Sequence, residues 1–297
     1  MVETLVLSDA AFGAVCALGA ALAWSVTSLL ARTLMPYYGS VTINAVRSGI
    51  AGTLLLGCVT LLDGPGVLVA MSGTTLLVLV VSIVAAIGIG DSVFFESTRA
   101  IGLGRAMTIA TTYPIGAALM AAALYGERIT PAIAAGTLLT LGGVALIVGV
   151  RSEVRPERLW FGVGTAVVAS AAWALSTVMM KTPLQEIEPL TAQAIRLPLA
   201  SALLWLTPWT RGAGAALRAG GRGPLLRIGA LSAITAVSSV LFVASLKYAG
   251  VTVGAVLSST APLFALPLGV LFLGERASAW TVLGALVAVA GIVVLQL

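Results

Sequence analysis

Five charged residues stand inside long apolar stretches of this chain: Arg47, Asp91, Glu96, Arg196 and Lys247. A charge at the centre of a bilayer costs about 2.5–3.5 kcal/mol on insertion scales, so each needs a partner or a purpose. Arg47 lies about seven residues into one apolar run, and Asp91 about seven residues before the end of the next. At 1.5 Å per residue on antiparallel neighbours, both come to about 10 Å from the same face. They are a candidate ion pair. The pair either lets both charges be inserted together or lines a cavity where substrate or proton engages it. Arg196 is the other deep arginine. Its planar fork suits a carboxylate, although the same side chain can snorkel or cap carbonyls. Asn44 and Gln193 precede Arg47 and Arg196 by three positions, which sets each amide on its arginine's helix face. There they orient the arginine or hydrogen-bond a ligand.

Polar and aromatic side chains gather at similar depths. Trp24 and Trp173 sit past the middle of their runs, away from the interfacial belt where tryptophan usually belongs. They read as cavity walls, as does Tyr113, and such walls suit apolar or cationic groups. Nearby serines and threonines (Ser25, Ser28, Ser176, Thr177, Thr111, Thr112, Ser258 to Thr260) bind a ligand or, more commonly in membranes, join helices. Glu96 lies within a turn of Arg99 and is expected to pair with it. Lys247 is expected at an interface, and Glu127 and Glu275 at helix ends as structural caps. Pro114 and Pro262 fall within apolar runs, where a missing N–H permits a kink. Interrupted helices are where carriers place sites and moving parts, with Gly102, Gly104 and Gly250 as candidate hinges.

The elements that must position these residues are membrane helices. The chain has 297 residues, 59% of them hydrophobic and only 9% charged, against about 25% in soluble domains. A water-soluble enzyme is excluded on that ground. With no histidine, His-based metal sites, the Ser-His-Asp triad and the commonest general base are absent. Cys16 and Cys58 lie in apolar runs and read as packing residues. The net charge of +5 comes without basic–aromatic interleaving, so no nucleic-acid partner is expected. Neither a cofactor nor a metal is expected. The start lacks a basic n-region and carries Glu3 and Asp9, so the first helix is expected to be retained.

A spanning helix needs about 20 apolar residues. Ten such runs occur, at roughly 11–31, 41–62, 74–98, 105–125, 131–150, 160–181, 190–209, 226–247, 252–273 and 278–297. The predicted fold is an all-α polytopic membrane protein, a single transporter domain over 1–297. The chain also repeats itself. At an offset of 148, Thr112, Pro114, Gly126, Glu127 and Arg128 fall on Thr260, Pro262, Gly274, Glu275 and Arg276. Nearer the start the offset is 149, with Trp24 on Trp173, Asn44 on Gln193 and Arg47 on Arg196. Repeat 1 covers about 11–150 and repeat 2 about 160–297, with five helices each. An odd number inverts the second half relative to the first, a common carrier architecture with the site between the halves. Asp91 has Ser239 as its mate, so only one arginine has a carboxylate at hand.

Two tandem five-helix repeats, with Trp in the first helix, Arg in the second and a Pro-to-Gly-Glu segment at the fourth, resemble the EamA family of the drug/metabolite transporter superfamily. The resemblance covers essentially the whole chain, and both signatures are intact (Pro114 to Glu127, Pro262 to Glu275). It implies a ten-helix carrier of small metabolites in the bacterial inner membrane, surrounded by lipid, bacterial members often being amino-acid exporters. Joined to the charge asymmetry, it gives an expected substrate. An amino acid or similar zwitterion would offer its carboxylate to Arg196 or Arg47 and its ammonium to Asp91. The expected site is therefore Trp24, Asn44, Arg47, Asp91, Tyr113, Trp173, Gln193 and Arg196. The alternative is an organic-cation or drug exporter, with a membrane enzyme or a channel further off. Small residues in the fifth and tenth runs (Gly136, Gly142, Gly143, Gly284, Ala288, Gly291) favour close contacts within the chain or a homodimer. Eleven Lys/Arg follow odd-numbered runs and three lie at the termini or after even ones. The positive-inside rule then sets both termini outside the cytoplasm, against the family's frequent depiction with both inside.

Overall fold

The computed structural model describes residues 8–125, 130–149 and 156–294. Every apolar run read from the sequence is helical, and the described residues contain no strand. The first half holds α1 (Asp9–Leu34), α2 (Ser40–Leu62), α3 (Gly73–Ile101), α4 (Leu103–Ala110), α5 (Tyr113–Tyr125) and α6 (Pro131–Gly149). The second holds α7 (Pro156–Met179), α8 (Pro189–Trp205), α9 (Arg222–Tyr248), α10 (Val251–Ser258), α11 (Pro262–Leu273) and α12 (Ala279–Val294). Short helices Pro183–Glu186 and Ala213–Ala219 lie in the connections. By length and apolar composition, six helices of the described residues can cross a bilayer. A seventh arises if Pro189–Trp205 and Pro208–Ala219, bent by 80°, count as one span.

The runs outside the six are 105–125, 190–209 (the bent pair) and the two whose apolar helices are shorter, Ala134–Leu146 and Ala279–Val294, whereas Val253–Leu273 counts as one crossing. The runs at 105–125 and 252–273 are each broken in two, at Thr111-Thr112 and at Ser259 to Ala261. The prolines do not kink mid-helix, as the sequence suggested. Pro114 is the second residue of α5 and Pro262 the first of α11. A first turn has no intrahelical acceptor for its N–H groups, so proline starts a helix there without loss. Side chains brace the break on either side: Ser25 Oγ donates to Ala261 O at 2.9 Å, and Tyr113 Oη to Ala255 O at 2.9 Å, each carbonyl also accepting a backbone N–H. Gly102 and Gly250 join the preceding helices to α4 and α10 with φ of +87° and +84°, where an L side chain would be strained.

The helices interlock across the repeats. α1 packs on α9, and its mate α7 packs on α3; α1 also meets α10 and α11, as α7 meets α4 and α5. α2 packs on α8, and α6 on α12. Each contact therefore recurs when the halves are exchanged. Small residues set these seams. A Cβ on Gly52 would lie 2.5 Å from the Pro198 ring, and one on Gly143 would lie 2.5 Å from Ala288 N and Gly284 O. Gly143 and Gly291 of the small-residue stripe thus meet the facing helix within the chain, while Gly142 meets nothing within 4 Å.

The connections sort to two ends. At one, Arg158 donates to Arg99 O, Arg99 to Met35 O and Arg227 to Thr33 O. Glu275 caps α4 there, accepting from Leu103 N at 2.7 Å and Gly104 N at 3.5 Å. At the other, Glu186 accepts from Ser72 and Thr75, and Lys247 pairs with Glu188 at 2.6 Å. Glu275 so plays the capping part expected of it, on a helix of the opposite repeat. Glu127 and Arg128 lie outside the described residues.

Candidate functional site

Between the halves lies a cavity of about 120 Å³. Of the eight residues singled out in the sequence, Trp24, Arg47, Asp91, Tyr113, Trp173, Gln193 and Arg196 line it. Asn44 does not; it is fully buried behind Arg47. Seven elements converge: α1 supplies Trp24, α2 Arg47, α3 Asp91, α5 Tyr113, α7 Trp173, α8 Arg196 and α9 Thr235.

Repeat 1 contributes a closed network. Arg47 Nη2 and Asp91 Oδ2 form an ion pair, with side chains 6% and 15% exposed. Arg47 Nε donates to Asn44 Oδ1 at 3.0 Å and its Nη1 to Thr235 Oγ1 at 3.4 Å. Its guanidinium lies 5.1 Å from the Phe95 ring centroid, within cation–π range. Trp173 reaches over from α7 and donates Nε1 to Asp91 Oδ1 at 2.9 Å. Both carboxylate oxygens are thereby occupied.

Repeat 2 contributes an open one. Arg196, 3% exposed, donates to Gln193 Oε1 at 3.2 Å and Ser176 Oγ at 2.9 Å. Both acceptors are neutral, no carboxylate among the described residues lies within ion-pair distance, and Arg196 Nε is buried without a hydrogen-bond partner. Gln193 Nε2 donates to Ser239 O at 2.9 Å. Two guanidiniums and one carboxylate therefore face the cavity, a surplus of positive charge in a setting where an unmatched charge is costly.

Aromatic rings form the wall opposite. Trp24 and Trp173 meet edge to face at 4.4 Å between centroids, and Tyr113 meets Trp173 at 6.5 Å and 87°. Ser176 and Thr177 line the cavity, whereas Ser258, Ser259 and Thr260 stay outside it. Thr235, Ser238 and Phe242 of α9 also line the chamber and had not been singled out from the sequence. Their signal was the Thr235 and Ser238-Ser239 hydroxyls grouped near the middle of an apolar run. Glu96 belongs elsewhere. It accepts from Ser40, pairs with Arg99 at 3.7 Å as expected, and borders a second cavity of about 650 Å³. No cluster of three metal-ligating side chains forms among the described residues.

Long apolar helices around a buried, charged chamber define a multi-pass integral membrane protein. The model of the EamA-like transporter family matches twice, at residues 11–149 and 160–297, once for each repeat. The chain belongs to the EamA-like transporter family. An uncharacterized transporter of Archaeoglobus fulgidus is 26% identical over 283 residues, covering 94% of this chain and 96% of that one. A crystal structure of a protein 20% identical in sequence superposes with a TM-score of 0.67 over 95% of both chains, a likeness of fold.

Proposed function

We propose that the protein is a secondary transporter that moves amino acids or similar small zwitterions outward across the bacterial cytoplasmic membrane. Its ten apolar runs serve as ten crossings, arranged as two inverted five-helix repeats that alternate access to the central cavity. The arginine-rich end faces the cytoplasm, in keeping with the positive-inside rule. The doubled family match and the exchange symmetry of the helix contacts support this architecture.

One observation carries the substrate reading: Arg196 is buried beside the cavity with neutral acceptors only and an unpartnered Nε. A substrate carboxylate supplies the missing counter-charge through a charge-assisted bond. The ammonium of the same molecule meets Asp91 and the ring faces of Trp24 and Trp173. Substrate binding thus gives the Arg196 guanidinium a local counter-charge, which lowers the cost of burying it, while the net charge of the site is unchanged because the zwitterion is neutral. Uptake and counterflow of radiolabelled amino acids into proteoliposomes test this. Saturable counterflow lost in Arg196→Ala is the expected result. Transport of another solute class with no amino acid moved overturns the substrate assignment.

The aromatic wall favours a second reading, an exporter of organic cations in which Asp91 is the counter-ion. Competition by quaternary amines, abolished in Asp91→Asn and unaffected in Arg196→Ala, would establish it in place of the first.

A further inference from the structure

α3 and its mate α9 differ by one residue. Measured back from the paired left-handed glycines, α3 runs from Gly73 to Gly102 and α9 from Arg222 to Gly250, so α3 is one residue longer. The sequence carries the same difference. The repeat offset is 149 at Arg47 and Arg196 but 148 at Gly102 and Gly250. The extra residue is absorbed in a π-helical segment, Val84–Asp91, while the mate segment of α9 is regular α-helix. Such widened turns characteristically arise from a single inserted residue.

The segment is held by side chains. Ile87 O, within it, accepts from Asn44 Nδ2 at 2.6 Å and from Ser92 Oγ at 3.3 Å. Asn44 Nδ2 also reaches Ser92 Oγ at 3.0 Å. Asn44 Oδ1 accepts a hydrogen bond from Arg47 Nε, so one amide ties the widened turn to the arginine that Asp91 must meet. Gly90 completes the arrangement. A Cβ there would lie 2.7 Å from Trp173 Cδ1 and Nε1, and its absence lets the indole lie on α3 and bond Asp91.

We propose that Asn44 is a positioning residue, which latches Ile87 O to keep the extra residue of α3 at 84–91 and so holds Asp91 between Arg47 and Trp173. Were the extra residue accommodated beyond Asp91, that side chain would turn by about 100°, one residue's rotation in a helix, and leave Arg47. The location of one inserted residue thereby determines which of the two mate arginines has a counter-ion. This deepens the reading of the cavity as the substrate site and rests on it. Its test needs no substrate.

The test is the indole N–H spectrum of the full-length, ¹⁵N-tryptophan-labelled protein in detergent. The Trp173 signal is identified by its loss in Trp173→Phe. Asp91→Ala, or Asp91→Asn if the alanine variant does not fold, gives its position without the carboxylate. Asn44→Ala is expected to move the signal upfield towards that position, and the double variant to move it no further. Asn44→Gln, which restores an amide of the kind Gln193 uses in the other repeat, is expected to move it back. Ser92→Ala, removing the second donor to Ile87 O, gives a smaller shift in the same direction. A Trp173 signal unmoved in both Asn44→Ala and Ser92→Ala, while the Asp91 variant moves it, overturns the proposal. The proposal is equally overturned if the double variant moves the signal well beyond the Asp91 variant, because Asn44 would then act on Trp173 by another route. Failure of amino-acid counterflow with the spectra as expected would sink the substrate reading and leave the positioning role intact.

Discussion

The two halves hold the same constellation on mate positions and use it differently. In repeat 1, Asn44, Arg47 and Asp91 close on one another, and the cavity meets a neutralised pair. In repeat 2, Gln193 and Arg196 repeat the first two members, Ser239 stands where the carboxylate would be, and the arginine keeps its charge. Duplication supplied one scaffold, and a single carboxylate on a widened turn made its two halves unequal. The teaching is that a pseudo-symmetric chamber can be polarised without changing its helices' packing.

The largest effect should follow from breaking the closed half. Breaking a buried ion pair from one side costs about 3–5 kcal/mol, so Arg47→Met is expected to strand Asp91 and lower the thermal unfolding temperature sharply in detergent. Arg47→Met combined with Asp91→Leu should recover most of that loss. Arg196→Met strands no carboxylate and should leave the unfolding temperature near the native value; equal losses in the two single variants would erase the contrast.

Next comes the ligand. A hydrogen bond to a charged group is worth about 1.5–3 kcal/mol, so Arg196→Ala should weaken carboxylate-bearing substrates by about 10- to 150-fold, read by equilibrium binding. Ser239→Asp should act in the same direction by giving Arg196 an internal partner. An unchanged affinity in both variants would remove Arg196 from the site.

Two glycines of the widened segment separate more finely. Gly90→Ala drives a methyl into the Trp173 indole and is expected to cost about 1–3 kcal/mol by overpacking. At Gly88 a Cβ would meet nothing nearer than Val84 at 3.8 Å, so Gly88→Ala should be neutral or slightly stabilising in chemical denaturation. The smallest loss expected is Tyr113→Phe, which removes the bond to Ala255 O that ties α5 to α10, for about 1 kcal/mol. No loss at Gly90 would mean that Trp173 is free to sit elsewhere.

The duplicated order of helices and most of the chamber were legible in the sequence because charge and tryptophan are rare in it. Arg47, Asp91 and Arg196 stood out against apolar neighbours, and matching depths on adjacent helices brought the first two together. Asn44 was correctly placed on the face of Arg47, but a helical face does not say whether a side chain reaches the cavity or the neighbouring backbone. The broken fourth and ninth runs were hidden because hydropathy is continuous through Thr111 and Ser259, while backbone hydrogen bonding is not. The widened turn in α3 was hidden for the same reason: a run of Val, Ala, Ile and Gly looks alike at any helical period. Its trace was the one-residue change of offset between the repeats.

The exchange of partners between halves bears on synthesis. α1 leaves the ribosome first, yet its main packing partner, α9, begins only at Arg222. At about 5–20 residues per second, the intervening chain takes about 10–40 s to make. For that interval α1 must sit in lipid with Gly13, Gly19 and its buried alanines facing no protein, and α3 likewise awaits α7. Neither half can complete its own interior, so expressing one repeat alone should yield an inserted but unpaired set of helices. The two halves made as separate chains should find each other in the membrane.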